Sequence, residues 1–174
     1  MRLFIAIDCS SEKEYFRRLQ RSLPPGGVRL ADDFHITLKF LGEVMPLKAK
    51  KVEEMLRSVK FSPFSFSLSS VGFFPDGKNP RVVWVGVEPK QDIVGLQKRI
   101  EGSLRSLFER EKRFEPHVTL ARIKGGKSIV MGEVAKAMIE KKMIGVSEFR
   151  LVKSTLTPKG PVYEPILSVS AQPG

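Results

Sequence analysis

The feature that most constrains this chain is that its parts occur twice. The string Phe34-His35-Ile36-Thr37-Leu38-Lys39-Phe40-Leu41-Gly42 has a counterpart in Pro116-His117-Val118-Thr119-Leu120-Ala121-Arg122-Ile123, and the two hold the only histidines of the sequence. From His35 to His117 is 82 residues, and from the Pro75-Asp76-Gly77 turn signal to Pro158-Lys159-Gly160 is 83. Two matching offsets point to an internal duplication, because a fixed period is the mark of a repeated supersecondary unit. Each half reads as strand, helix, histidine strand, helix, strand and Pro-x-Gly turn. Side chains alternate faces along a strand, so His35 and Thr37 point one way while Ile36, Leu38 and Phe40 point the other. His117 and Thr119 repeat that geometry with Val118 and Leu120 behind them. Each histidine strand therefore presents an imidazole and a hydroxyl together.

The remaining pattern fills in the unit. Arg2 to Asp8 reads as a first strand, and Ser11 and Glu14 have capping-box spacing for a helix with Phe16, Leu19 and Leu23 on one side, ended by Pro24-Pro25-Gly26-Gly27. Pro46 is placed as a first helical residue ahead of Val52, Met55, Leu56 and Val59. Strands are expected over residues 64–68, 81–87, 147–156 and 162–170. A helix over 91–109 carries the apolar stripe Ile93, Leu96, Ile100, Leu104 and Leu107, and another follows Lys124-Gly125-Gly126-Lys127-Ser128 and ends near Lys142. The expected fold is α+β, a duplicated βαβαβ unit plus a closing strand. It forms one domain over residues 1–174, with two pseudo-symmetric lobes at approximately 1–78 and 79–170. An approximate two-fold axis between the histidine strands would bring the imidazoles to opposite walls of one cleft.

Composition narrows the partners. Thirty Lys+Arg against nineteen Asp+Glu leave a formal charge of +11, which favours a polyanion through phosphate neutralisation and counterion release. No apolar run approaches the roughly 20 residues of a membrane span, and the N-terminal residues read as a strand rather than a signal peptide, so no membrane partner and a cytoplasmic location are expected. The single cysteine, Cys9, excludes an internal disulfide and is expected to be structural. Two histidines and one cysteine with no carboxylate pattern make a poor zinc set, so no metal is expected. Gly126-Lys127-Ser128 matches the tail of a phosphate-binding loop, but Ala121 stands where that motif needs glycine. Most of the twelve phenylalanines fall at core positions; Phe73, Phe74 and Tyr163, beside the two turns, are placed for exposure.

A pair of histidines suits phosphorus chemistry. With an unperturbed pKa of about 6.5, one imidazole can be neutral while the other is protonated. In-line displacement at phosphorus needs a proton removed from the attacking oxygen and one supplied to the departing oxygen. Hydrogen bonds across the reacting group set the imidazole nitrogens roughly 6–8 Å apart. The threonine hydroxyls then face the non-bridging oxygens. By strict alternation Lys39 shares the face of Thr37 and is placed to steer phosphate, whereas Arg122 falls opposite His117 unless a bulge intervenes.

With these flanks, the two H-x-T-x motifs resemble the two-histidine (2H) phosphoesterase superfamily, and within it the LigT-like RNA 2′,3′-cyclic phosphodiesterase branch, also called the 2′-5′ RNA ligase family. The resemblance covers nearly the whole chain. It implies a bilobal LigT-like fold with two antiparallel sheets around a central cleft and helices outside. It also implies hydrolysis of a terminal RNA 2′,3′-cyclic phosphate to a 2′-phosphomonoester with no metal or cofactor. On that basis His117 is the proton acceptor that activates water, His35 the proton donor to the 3′ oxygen, and Thr37 and Thr119 hold the phosphate. Lys39 and Arg122 are the expected substrate contacts, the second because the family motif often carries arginine there. The expected partner is an RNA end bearing a 2′,3′-cyclic phosphate, on a tRNA fragment or a nucleotide, and the expected state is a monomer. A 2′-5′ RNA ligase and a non-catalytic RNA- or nucleotide-binding module remain as alternatives.

Overall fold

A computed structural model describes residues 1–24, 26–124 and 139–173. The chain runs through β1 (Arg2–Asp8), α1 (Lys13–Gln20), β2 (Val28–Leu30), β3 (His35–Glu43), α2 (Pro46–Arg57) and β4 (Phe64–Phe74). It continues through β5 (Val82–Glu88), α3 (Gln91–Leu104), β6 (His117–Ile123), β7 (Met143–Val146), β8 (Glu148–Thr157) and β9 (Gly160–Ser170). The α+β expectation holds: among the described residues nine strands form one curved antiparallel sheet with these three helices outside. Its order is β7-β4-β5-β6-β3-β1-β8-β9, with β2 paired to β6. Among the described residues eight strands lie on one hydrogen-bonded path with β2 beside it, where two antiparallel sheets around a cleft were expected. The join is narrow, since β3 and β6 meet at the single pair Ile36↔Val118 before β2 takes over the edge of β6 at Ala121, Arg122 and Ile123.

The helices cover one face. Phe16 of α1, Val52 and Leu56 of α2, and Ile93, Leu96 and Ile100 of α3 join Ile5, Ile7, Ile36, Leu38, Val85 and Val118 in one buried cluster. Full burial of each such side chain contributes about 1.5–3 kcal/mol. The opposite face carries a much smaller cluster, Phe4, Ala6 and Val152 with Tyr163 packed on it. That second face stays open and holds the site. Among the described residues no helix is long and apolar enough to cross a membrane.

Several boundaries differ from the sequence reading for local reasons. The Ser11–Glu14 capping box does not form: a 3₁₀ turn over Ser10–Glu12 precedes α1, and Asp8 begins it by accepting from the Ser10 amide (3.1 Å) and hydroxyl (2.9 Å). Helix α3 stops at Leu104 rather than 109, and the carbonyl of Glu109 turns inward to accept from Lys39 Nζ at 2.8 Å. Strand β4 runs on to Phe74 because β5 pairs with it as far as Phe74↔Val82. Strands β2 and β7, of three and four residues, are too short to show alternation. The helix expected after Ser128 falls mostly outside the described residues, and 139–142 are irregular.

Candidate active site

Matched bulges in the two histidine strands arrange the site. Along β1 the partners of β3 step from Ala6↔Thr37 to Ile5↔Lys39, leaving Leu38 as an extra residue. Along β5 the partners of β6 step from Trp84↔Thr119 to Val83↔Ala121, leaving Leu120 in the same role. A bulge places two consecutive residues on one side of the ladder and bends the strand. Leu38 and Lys39 are therefore both buried, as are Leu120 and Ala121. Alternation then resumes out of phase. His35, Thr37 and Phe40 line the open face of β3, and His117, Thr119 and Arg122 occupy the same three positions on β6.

The register at Ile36↔Val118 sets His35 opposite Thr119 and Thr37 opposite His117. The two imidazoles are then diagonal neighbours on one face, which in a regular antiparallel pair means about 7–8 Å between their α-carbons. Each ring is held from behind. His117 Nδ1 lies 2.8 Å from the Glu115 carbonyl, which can only accept, so Nδ1 carries the proton and Nε2 keeps a lone pair. His35 Nδ1 donates to Asp33 Oδ1 at 2.9 Å, and the two form an ion pair whenever the ring is protonated. Burial holds the His117 pKa below its ordinary value against the Glu115 hydrogen bond, and the positive charges of Arg122 and His35 add to the lowering. A half-buried imidazole with a free Nε2 is suited to accept a proton, and one backed by a carboxylate is suited to deliver one.

Aromatic rings fix both imidazoles laterally. His35 has Phe4 at 5.1 Å and Tyr163 edge-on at 5.5 Å between ring centroids; His117 has Phe74 edge-on at 4.9 Å and Trp84 at 5.8 Å. Trp84 lies over Gly72, where any β-carbon would collide with its indole, and its buried Nε1 has no hydrogen-bond partner among the described residues. A pocket beside His35 is lined by Phe4, Ala6, Asp8, Asp33, Arg150 and Tyr163, among others. Phe74 and Tyr163 thus belong to the site, while Phe73 packs against the core. Thr37 and Thr119 are half-buried on the open face, and among the described residues neither hydroxyl has a hydrogen-bond partner.

Two expectations change. Lys39 does not face the phosphate position: the bulge turns it to the helix side, where it is 5% exposed and bonds Glu101 Oε1 (2.9 Å), Glu101 Oε2 (3.1 Å) and the Glu109 carbonyl. Arg122 moves the other way, because the matching bulge at Leu120 in β6 brings it onto the His117 face. Cys9 is fully buried, and burial first and Asp8 second push its thiol far up, as befits a structural residue. Among the described residues no group of three His, Cys, Asp or Glu is arranged to hold a metal. Gly125 to Ser128 lie outside the described residues. Sequence reasoning missed Asp33, Phe4 and Trp84. Asp33 could have been found as a carboxylate two residues before a strand histidine; the two rings come from neighbouring strands and leave no local signal.

Comparison with known proteins agrees with this geometry. The family described as LigT like Phosphoesterase matches residues 7–84 and again 85–163. A protein of Archaeoglobus fulgidus named RNA 2′,3′-cyclic phosphodiesterase is 39% identical over 170 residues, covering 94% of this chain and 97% of its own. One of the same name from Methanocaldococcus jannaschii is 37% identical over 176 residues, covering 95% and 98%. Among solved structures, TT0787 of Thermus thermophilus superposes with a TM-score of 0.83 at 28% identity, covering 98% of this chain and 97% of that one. The Escherichia coli LigT complex with 3′-AMP gives 0.79 at 26% identity, covering 98% of each chain. The chain belongs to the LigT-like phosphoesterase family.

Proposed function

We propose that this protein is an RNA 2′,3′-cyclic phosphodiesterase that opens a terminal cyclic phosphate to a 2′-phosphomonoester by acid–base catalysis with two histidines. The observation that carries this reading is the pair of Nδ1-anchored imidazoles set diagonally on one open sheet face. The names of the relatives support it. His117 Nε2 takes a proton from a water that attacks phosphorus. As the P–O3′ bond breaks, His35 gives its Nε2 proton to the departing 3′ oxygen, leaving the new P–O bond on a 2′-phosphate. Thr37 and Thr119, with unoccupied hydroxyl protons, donate to the non-bridging oxygens as charge builds, and Arg122 balances that charge from the His117 side. Both rings then reset by exchange with solvent, His117 releasing its proton and His35 regaining one.

The finer architecture is read the same way. Exchanging β1 with β5, β3 with β6 and β4 with β8 turns the central order β4-β5-β6-β3-β1-β8 into itself read backwards, as a two-fold axis would, and the family matches the chain twice. Both support two pseudo-symmetric lobes meeting at β3 and β6. The test of function is to incubate a cyclic-phosphate oligonucleotide with the protein and a chelator and to follow the product by phosphorus NMR. Ring opening to a 2′-phosphate is expected, with His35→Ala and His117→Ala each lowering kcat about 10²–10⁴-fold. No ring opening by wild type, or unchanged rates in both variants, contradicts the proposal. Adding a 5′-hydroxyl RNA to the same reaction and finding 2′-5′ joined product would favour the ligase reading instead.

A further inference from the structure

Arg122 has a neighbour that the reaction above does not use. Strand β2 pairs with β6 so that Arg29 stands directly opposite Arg122, and cross-strand partners share a face of the sheet. Like charges directly opposite weaken a sheet. Arg150, on the far side of the cleft, is matched by Asp8 at 3.2 Å and Glu148 at 2.7 Å. By contrast, among the described residues neither Arg29 nor Arg122 has a hydrogen bond or ion pair from its guanidinium, and both are exposed. The Arg29 side chain reaches across to the tip of the β8–β9 hairpin: its guanidinium lies over Gly160, where a β-carbon would collide with Nη2, and Gly160 has a φ of 122° that disfavours any side chain. Burial and the Asp33 carboxylate raise the Tyr163 hydroxyl, while the positive charges of Arg122, Arg2 and Arg29 oppose them. A pair of unmatched guanidiniums kept side by side breaks a local rule, and such breaks concentrate at binding sites.

Along the cleft floor the rows run Thr37 and His117, then His35 and Thr119, then Arg29 and Arg122. With the bulge taking up one residue, the arginine row lies about 7 Å beyond the Thr119 row at the usual strand rise. The midpoint between the two histidine rows is about 10 Å from the arginine row, and a long guanidinium side chain leaning back towards it closes the gap to one step along a ribonucleotide chain. A terminal nucleotide whose cyclic phosphate sits between the histidines carries, on its 5′ oxygen, the phosphodiester to the preceding nucleotide. This group is singly charged, the same for every base, and matched by the fork of a guanidinium.

We propose that Arg29, with Arg122, forms a second anion subsite that takes the phosphodiester on the 5′ side of the terminal nucleotide, so that the enzyme prefers a ribonucleotide chain to a mononucleotide. This rests on the cyclic-phosphate reading above. The experiment compares adenosine 2′,3′-cyclic phosphate with the dinucleotide ApA ending in a 2′,3′-cyclic phosphate, and reads the ratio of their kcat/KM values. Wild type should favour the dinucleotide about tenfold or more, carried by KM. Arg29→Gln should bring the ratio close to one, and Arg29→Lys should keep part of it. A wild-type ratio near one, or a ratio unchanged in Arg29→Gln, overturns the subsite while leaving the hydrolytic reading intact. Turnover of neither substrate overturns the hydrolytic reading, and equilibrium binding of adenosine 2′-monophosphate and of ApA 2′-phosphate then decides the subsite. Roughly tenfold tighter dinucleotide binding that Arg29→Gln abolishes upholds it; equal binding of the two ligands overturns it.

Discussion

Replacing Lys39 by methionine separates a structural role from a substrate contact. Its ammonium and the Glu101 carboxylate have side chains only 4% and 6% exposed, and Lys39 spends all three donors on Glu101 and the Glu109 carbonyl. Lys39→Met leaves the Glu101 charge buried with donors from Gln97 Nε2 (3.1 Å) and the Glu111 amide (3.2 Å) but no cation. Removing one partner of a buried ion pair costs about 3–5 kcal/mol. At roughly 2–4 °C per kcal/mol for a chain of this length, Tm should fall by roughly 6–20 °C. Adding Glu101→Gln removes the orphaned charge while its amide oxygen still accepts from Gln97 and Glu111, and should recover at least half of the loss. The assay is a double-mutant cycle in urea, with steady-state kinetics on each variant at a temperature where it stays folded. KM should be unchanged, because Nζ lies on the helix side of the sheet. A Lys39→Met protein within about 1 kcal/mol of wild type, but with a KM raised tenfold, would refute the bulge argument and restore Lys39 to the cleft.

Other expectations concern the rings of the site. Because burial, with Arg122 and His35, depresses the His117 pKa, the acid limb of kcat/KM should lie below the ordinary histidine value of about 6.5. Arg122→Gln should move that limb upward; a limb above 6.5 in wild type would contradict the assignment of His117 as acceptor. The same shift means that the unfolded chain takes up this proton first, so His117 lowers stability as pH falls from about 6.5 towards its folded pKa. Gly72→Ala should displace the Trp84 indole that flanks His117, costing about 1–3 kcal/mol. Trp84 is the single tryptophan, so a red-shifted emission together with lower kcat reports the displacement. Unchanged emission and rate would show that the indole is not packed there.

The sequence made the frame readable and hid the adjustments. The repeat, the strand faces around His35 and His117 and the stripe Ile93, Leu96, Ile100 and Leu104 followed from spacing, because period and polarity report which side of an element meets the core. The bulges were not readable, since Leu38-Lys39 and Leu120-Ala121 look like ordinary alternation until neighbouring strands fix the register. That one ambiguity moved Lys39 into the core and Arg122 into the site. The partner of Lys39 is 62 residues away on α3, and the rings of Phe4 and Trp84 reach the imidazoles across strands, which no local pattern encodes. Strand β2, which sets Arg29 against Arg122, has three residues and no alternation to announce it.

The central claim is that both imidazoles act on one phosphorus from its two sides. A crystal structure with a bound dinucleotide 2′-phosphate tests it most directly. The phosphate oxygens should lie at about 2.6–3.2 Å from Nε2 of both His35 and His117, with the Thr37 and Thr119 hydroxyls on the remaining oxygens. A phosphate touching one imidazole alone, or bound away from both, would contradict the account.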